Sequence, residues 1–129
     1  DGPVRYHPLV PGDFVYVPGG TPHRILPDGE CVQLRYRAEK PGLEAVAWFC
    51  DSCGNEIARD VWDTEHELLQ EGYLRACGAF NAEVAQRTCD GCGHIHPKID
   101  LSPFRWDSVA VEVREDLANA ATKAAKSSS

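Results

Sequence analysis

The sequence predicts a mainly β protein arranged around a four-cysteine metal centre, with one helix. Three observations lead there. Short apolar runs broken by proline and glycine fill the opening segment, two Cys-x-x-Cys-Gly pairs follow, and one stretch between those pairs carries helical spacing.

In chain order, the opening runs are Val4 to His7, Phe14 to Val17, His23 to Leu26 and Cys31 to Arg37, each rich in β-branched or aromatic residues. Pro18-Gly19-Gly20-Thr21-Pro22 cannot continue a strand, so "PGDFVYVPGGTPHRIL" reads as strand, tight turn, strand. His23 then sits at the first position of a strand, where a rigid scaffold meets a loop. Between the cysteine pairs lie an extended piece, Glu56 to Trp62, and a helix from about Asp63 to Phe80. Leu68, Leu69, Tyr73, Leu74 and Cys77 supply its packed face. Farther on, Val109, Val111 and Val113 alternate like a strand, while "EDLANAATKAAK" is Ala-rich and helix-prone. Ser127-Ser128-Ser129 reads as a disordered end. Three parts follow: residues 1–45, 46–100 and a tail, 101–129.

Composition bounds the partners. A chain of 129 residues buries one core, or one core and a small satellite. With 26% charged and 43% apolar residues it is an ordinary globule. A net charge of −7 argues against nucleic acid, because binding phosphates needs clustered Lys and Arg. The longest apolar run, Ala45 to Cys50, is too short to span a bilayer, and no signal-peptide pattern opens the chain. Neither nucleic acid nor membrane is therefore expected as a partner. The start at Asp1, without Met, reads as a processed or partial product.

Six cysteines separate into two kinds. Cys50 and Cys53 ("CDSCG") and Cys89 and Cys92 ("CDGCG") form near-identical pairs, whereas Cys31 and Cys77 stand alone. Two well-separated CxxC pairs fit a tetrahedral metal site in a reducing, cytoplasmic compartment better than disulfides. Gly54 and Gly93 follow each pair, where a metal knuckle demands positive φ. Four thiolates leave no open position, so the centre is structural if it holds zinc. Iron in the same site would make a rubredoxin-like electron carrier. His94 and His96, in "GCGHIHP", are expected beside the centre or at the surface rather than among its ligands.

Here the residues reach a resemblance. Gly12-x5-Pro18-x-Gly20-x2-His23 is similar to the second signature motif of cupins, whose histidine holds a metal inside a small β-barrel. Together with "AWFCDSCG" and "RTCDGCGHIHP", the chain resembles the 3-hydroxyanthranilate 3,4-dioxygenase family over about residues 1 to 98. That family joins a cupin barrel to a rubredoxin-like four-cysteine site through an aromatic-aromatic-cysteine junction, here Trp48-Phe49-Cys50. The resemblance implies the C-terminal half of a cupin barrel followed by the knuckles. It implies a nonheme Fe(II) centre that inserts O2 into the ring of an aromatic acid, on the route from tryptophan to quinolinate and NAD.

Carried over residue by residue, only His23 of the two-histidine, one-glutamate iron set is present. The HxH and following Glu of the first cupin motif are absent, so the chain reads as starting in mid-barrel with an incomplete Fe(II) site. His94-Ile95-His96 is the only HxH, and it lies beside a knuckle. A substrate-contacting glutamate of the family is Arg35 here, and a carboxylate-binding arginine four residues past the histidine is Pro27. Alternation in "CVQLRYR" puts Cys31, Gln33 and Arg35 on one face, which the resemblance turns into the barrel. Arg35, with Gln33 beside it, is then a candidate clamp for the substrate carboxylate; the other reading is a solvated strand residue. A half-barrel leaves open strand edges, so a homodimer or pairing with another cupin chain is expected. The alternatives to a dioxygenase are a non-catalytic degenerate cupin with a structural zinc, and a rubredoxin-like electron carrier.

Overall fold

The structure is a computed structural model that describes residues 4–37 and 40–127. Ser128 and Ser129 of the expected disordered end, and the opening at Asp1, lie outside the described residues. The chain divides into two compact units, residues 1–35 and 36–129.

In the first unit, turns form where proline and glycine call for them. Thr21 N–H donates to the Pro18 carbonyl at 3.2 Å with Gly20 at φ +77°, the arrangement of a type II turn. Asp13 caps the preceding bend, its carboxylate accepting the Val10 N–H at 2.9 Å. The expected strands over 4–7, 14–17, 23–26 and 31–37 are not formed, however: these segments make no ladder among the described residues, and Phe14 and Val32 are each 92% exposed. β-propensity describes how well a side chain fits a paired, half-buried surface, and these segments find neither pairing nor cover.

The second unit holds the regular structure. Leu43–Phe49 (β1) and Glu56–Asp63 (β2) form an antiparallel hairpin in which Leu43 faces Asp63 and Trp48 faces Ala58. The register shifts at Phe49, immediately before the cysteine knuckle that serves as the hairpin loop. Thr64 extends the ladder by donating its N–H to the Gly42 carbonyl at 3.0 Å.

Leu69–Ala82 (α1) crosses this hairpin. It starts later than the spacing of Asp63 to Phe80 suggests, because residues 64–67 are occupied by the turn that leaves β2. Glu71 reaches back to accept the Leu68 N–H at 3.0 Å, which satisfies one of the unpaired donors of the first turn. The short Val84–Arg87 (α2) leads into the second knuckle, and Trp106–Ser127 (α3) packs on α1.

A two-stranded hairpin is marginal alone, so the core must come from the helix. Trp48 stacks on Phe80 with ring centroids 4.2 Å apart, over Ala76 and Cys77. Ile99 and Leu101 close this cluster, fastened by Asn81, which exchanges two hydrogen bonds with the Ile99 backbone at 2.7 and 2.8 Å. A second aromatic row runs Trp62, Tyr73, Trp106, Phe104. The Tyr73 hydroxyl donates to Glu44, which also pairs with Arg37 at 2.6 Å.

The fold class therefore needs correcting. Two strands of seven and eight residues stand against helices of 14, 4 and 22, so the described chain is not mainly β. Val109, Val111 and Val113 belong to α3, not to a strand. With Trp106 and Ala110, Val109 and Val113 form the helical stripe that α1 covers, whereas Val111 is exposed. An i, i+2 run is ambiguous at that length, and the Ala-rich continuation settles it in favour of helix.

Gly72, inside α1, lies under the Trp62 indole, where an added Cβ would overlap the ring. Alanine gains about 1 kcal/mol over glycine in a helix interior, but overpacking a buried indole costs about 1–3 kcal/mol. Gly72→Ala is therefore expected to lower stability in chemical denaturation; a stabilised variant would show that Trp62 packs elsewhere.

Arg114 pairs with Glu71 through two hydrogen bonds and, helped by the Leu68 N–H, holds that carboxyl below the usual carboxylate range. A depressed folded pKa gives stability that is present above about pH 4.3, the ordinary Glu value, and is lost as pH falls through the folded one. Acid denaturation of Glu71→Gln is expected to be less steep than that of the parent chain below that pH.

Candidate metal centre and flanking residues

Each knuckle folds by the same two backbone bonds. Cys50 N–H donates to the Asn55 carbonyl and Gly54 N–H to the Cys50 carbonyl, both at 2.8 Å; Cys89 with His94, and Gly93 with Cys89, repeat this at 2.8 Å. The turn closes only because Gly54 and Gly93 adopt φ of +76° and +72°, as their place after each pair suggests.

The first knuckle caps the hairpin and the second follows α2, and tertiary packing brings them face to face. Cys50 Sγ lies 3.6 Å from Cys92 Sγ, Cys53 Sγ lies 3.5 Å from Cys89 Sγ, and all four lie within 4.8 Å of one another. A disulfide needs sulfurs at about 2.05 Å. A tetrahedral zinc with bonds of about 2.3 Å puts sulfurs about 3.8 Å apart, close to what is found. The four cysteines are free thiols and fit a metal held by all four.

The thiols of the first knuckle differ sharply in acidity. Burial opposes ionisation of Cys50, but the N–H groups of Cys53 and Ser52 and the neighbouring thiols outweigh it and pull the group down to about 6. At Cys53 the Asn55 N–H favours the thiolate, yet contacts to Cys89, Cys92 and Cys50, with burial, push it up to about 12. Cys92 is likewise raised, the help of the His94 N–H being opposed by its contact with Cys50, so Cys50 ionises readily while Cys53 and Cys92 are held back until a cation offsets the repulsion. Cys77 differs in kind, its thiol raised by burial in the apolar core.

The two knuckles also touch through a side chain. Gly91 stands where the first knuckle has Ser52, and a Cβ there would overlap the Asn55 amide. His94 and His96 lie outside the cluster; His96 packs edge-on against Phe80 at 5.5 Å, with Nδ1 donating to the Pro97 carbonyl. Asp63, Glu65 and His66 also gather, but in a turn where Asp63 accepts the Glu65 N–H, and turn chemistry accounts for them.

In the first unit His23 is exposed. Its Nδ1 lies 2.9 Å from the Thr21 carbonyl and its Nε2 lies 3.3 Å from the Arg35 guanidinium. A carbonyl only accepts and a guanidinium only donates, so the ring carries its proton on Nδ1 and presents a lone pair at Nε2. Gln33 donates to Cys31 Sγ at 3.7 Å, although the strand whose alternation would put the two on one face is not formed. Among the described residues His23 belongs to no cluster of three metal-ligating side chains.

Sequence reasoning passed over Arg87. It lies two residues before Cys89, as Trp48 lies two before Cys50, and it is 8% exposed while Trp48 is 9% exposed. Equal spacing before the two knuckles was the available signal.

Gly54→Ala and Gly93→Ala are each expected to cost about 1–2 kcal/mol, the penalty of a left-handed residue with a Cβ. Gly78→Ala, in open space on α1, is expected to stabilise by up to about 1 kcal/mol. Thermal melts of zinc-loaded protein compare the three.

No family model matches the chain, and no solved structure matches it. Among curated proteins it is similar to a 3-hydroxyanthranilate 3,4-dioxygenase from Xanthomonas campestris pv. campestris, 26% identical over 114 residues, covering 84% of this chain and 60% of the relative. A protein of the same name from Ruegeria pomeroyi is 32% identical over 97 residues, 70% of this chain and 51% of the relative. Another, from Cupriavidus pinatubonensis, is 28% identical over 107 residues, 81% of this chain and 56% of its own. The chain thus spans between half and three-fifths of the length of these relatives. With a four-cysteine cluster in its second unit and this similarity over most of its length, the chain is a relative of the 3-hydroxyanthranilate 3,4-dioxygenases.

Proposed function

We propose that this chain is part of a nonheme Fe(II) ring-cleaving dioxygenase acting on 3-hydroxyanthranilate or a related aromatic acid, in a reducing cytoplasm. The observation that carries the reading is the convergence of four thiols in a chain whose curated relatives bear that name. The four-thiolate centre is closed, so its part is structural: zinc or iron there ties the hairpin to the loop after α2.

The residues described do not make a catalytic iron site by themselves. Fe(II) oxygenases use two histidines and a carboxylate, and His23 stands without either companion. What His23 brings is an imidazole oriented by the Thr21 carbonyl, whose Nε2 becomes a metal-binding atom once the Arg35 guanidinium beside it turns to the substrate carboxylate. In this reading a second polypeptide, or residues beyond those described, completes the ligand set on a cupin barrel. The uncovered apolar runs of the first unit are the strands that such a partner pairs with. Arg35, with Gln33 alongside, binds the substrate carboxylate.

One observation favours a second reading, a non-catalytic degenerate cupin with a structural zinc. The Arg35 guanidinium sits on His23 Nε2, the atom a metal would need.

Oxygen uptake with 3-hydroxyanthranilate separates the two. The chain is loaded anaerobically with Fe(II), alone and with a cupin half bearing HxH and Glu. Uptake is expected with the added half and is lost in His23→Ala, while Arg35→Met raises KM about tenfold or more with kcat little changed. Absence of uptake in both arrangements supports the non-catalytic reading. Full uptake by His23→Ala removes His23 from the site.

A further inference from the structure

Arg87 is the one buried cation among the described residues. At 8% exposure it donates from one terminal nitrogen to the His96 carbonyl at 2.7 Å, and its Nε is buried with no hydrogen-bond partner. Among the described residues no carboxylate lies within ion-pair reach of it, although every other ion pair of the unit joins Arg to Asp or Glu. A buried guanidinium without a counter-charge is costly even after the surroundings relax. Some negative charge is therefore expected nearby.

The backbone says where. Thr88 is extended, at φ −91° and ψ 124°, and bridges to Ile95 across the second knuckle. Side chains on either side of an extended residue point the same way. Arg87 thus shares a face with Cys89, which points into the sulfur quartet, and both are buried while Thr88 between them is not. The His96 carbonyl that Arg87 holds belongs to the segment that leaves the same knuckle, and His96 N–H returns to the Arg87 carbonyl at 2.8 Å. Four thiolates around a divalent ion carry a net charge of −2, and the Cys89 side of that charge, like Cys50, is buried.

We propose that Arg87 is the counter-cation of the four-thiolate centre, a positioning residue that raises metal affinity and, with iron bound, the reduction potential. This rests on the metal reading given above. The charge acts in a defined direction: an iron–tetrathiolate goes from −1 to −2 on reduction, and a nearby guanidinium favours the more negative form.

The test uses the full chain refolded with metal. Zinc affinity is read by competition with a chromophoric chelator, and the potential is read on the iron-loaded form. Arg87→Gln keeps a donor for His96 but loses the charge. Arg87→Lys keeps the charge, and Arg87→Met is a second neutral variant should Gln not fold. Both neutral variants are expected to bind zinc at least tenfold more weakly and to have a lower potential, while Lys stays near the parent on both. A neutral variant with parental affinity and potential overturns the proposal. So does a Lys variant whose potential falls as far as that of Gln, since the loss would then be structural. Cobalt(II) separates this from the underlying reading: if the parent chain shows no thiolate-to-cobalt charge-transfer band, the metal centre itself is wrong. A band in the parent with indifferent variants removes only Arg87.

Discussion

The second unit depends on the closure of one knuckle against the other. The hairpin loop supplies Cys50 and Cys53, the loop after α2 supplies Cys89 and Cys92, and nothing covalent in the chain requires them to meet. A bound metal at these sulfurs contributes on the order of 10 kcal/mol, as much as the whole stability of a small domain. The apolar core reaches the same end of the hairpin through Trp48 on Phe80, with His96 edge-on to that ring. Metal and core therefore reinforce one another, because the strand position before Cys50 and the segment after Cys92 are both packed on α1.

That arrangement explains why the sheet needs only two strands. Its exposed edges are short, and its inner face is covered by α1, whose buried positions Gly72, Ala76, Cys77 and Phe80 fall at helical spacing. Gly72 is small because an indole lies on it, and Ala76 and Cys77 allow close approach of helix to hairpin. Polar groups then tie the periphery: Arg75 to Asp60 and Glu67, Arg114 to Glu71, Arg37 to Glu44 and through it to Tyr73. These pairs are partly exposed and each contributes little alone. Their part is to fix which helix face meets which strand.

The first unit contrasts with this. It has the turns of a β-rich segment, with Gly12 and Gly20 at positive φ, yet its apolar side chains lie uncovered. A turn is a local event that its own residues can complete. A strand is not, because every second backbone group awaits a partner. Within this unit Arg35 meets His23, a donor placed on a lone pair.

What the sequence determined by itself was local and chemical. The knuckles, their glycines at positive φ, the proline-glycine turn and the helical face of Leu74 and Cys77 could all be read, because each depends on residues within five positions of one another. The tertiary structure decided what depends on distant residues. It determined that the Val109 run is helical and seats Trp106 and Ala110 on α1, and that the segments expected as strands over 4–37 form no ladder. It also determined that Arg87 is buried before the second knuckle, without a carboxylate partner. Burial and pairing are relations between remote parts of a chain, and no window of neighbouring residues contains them.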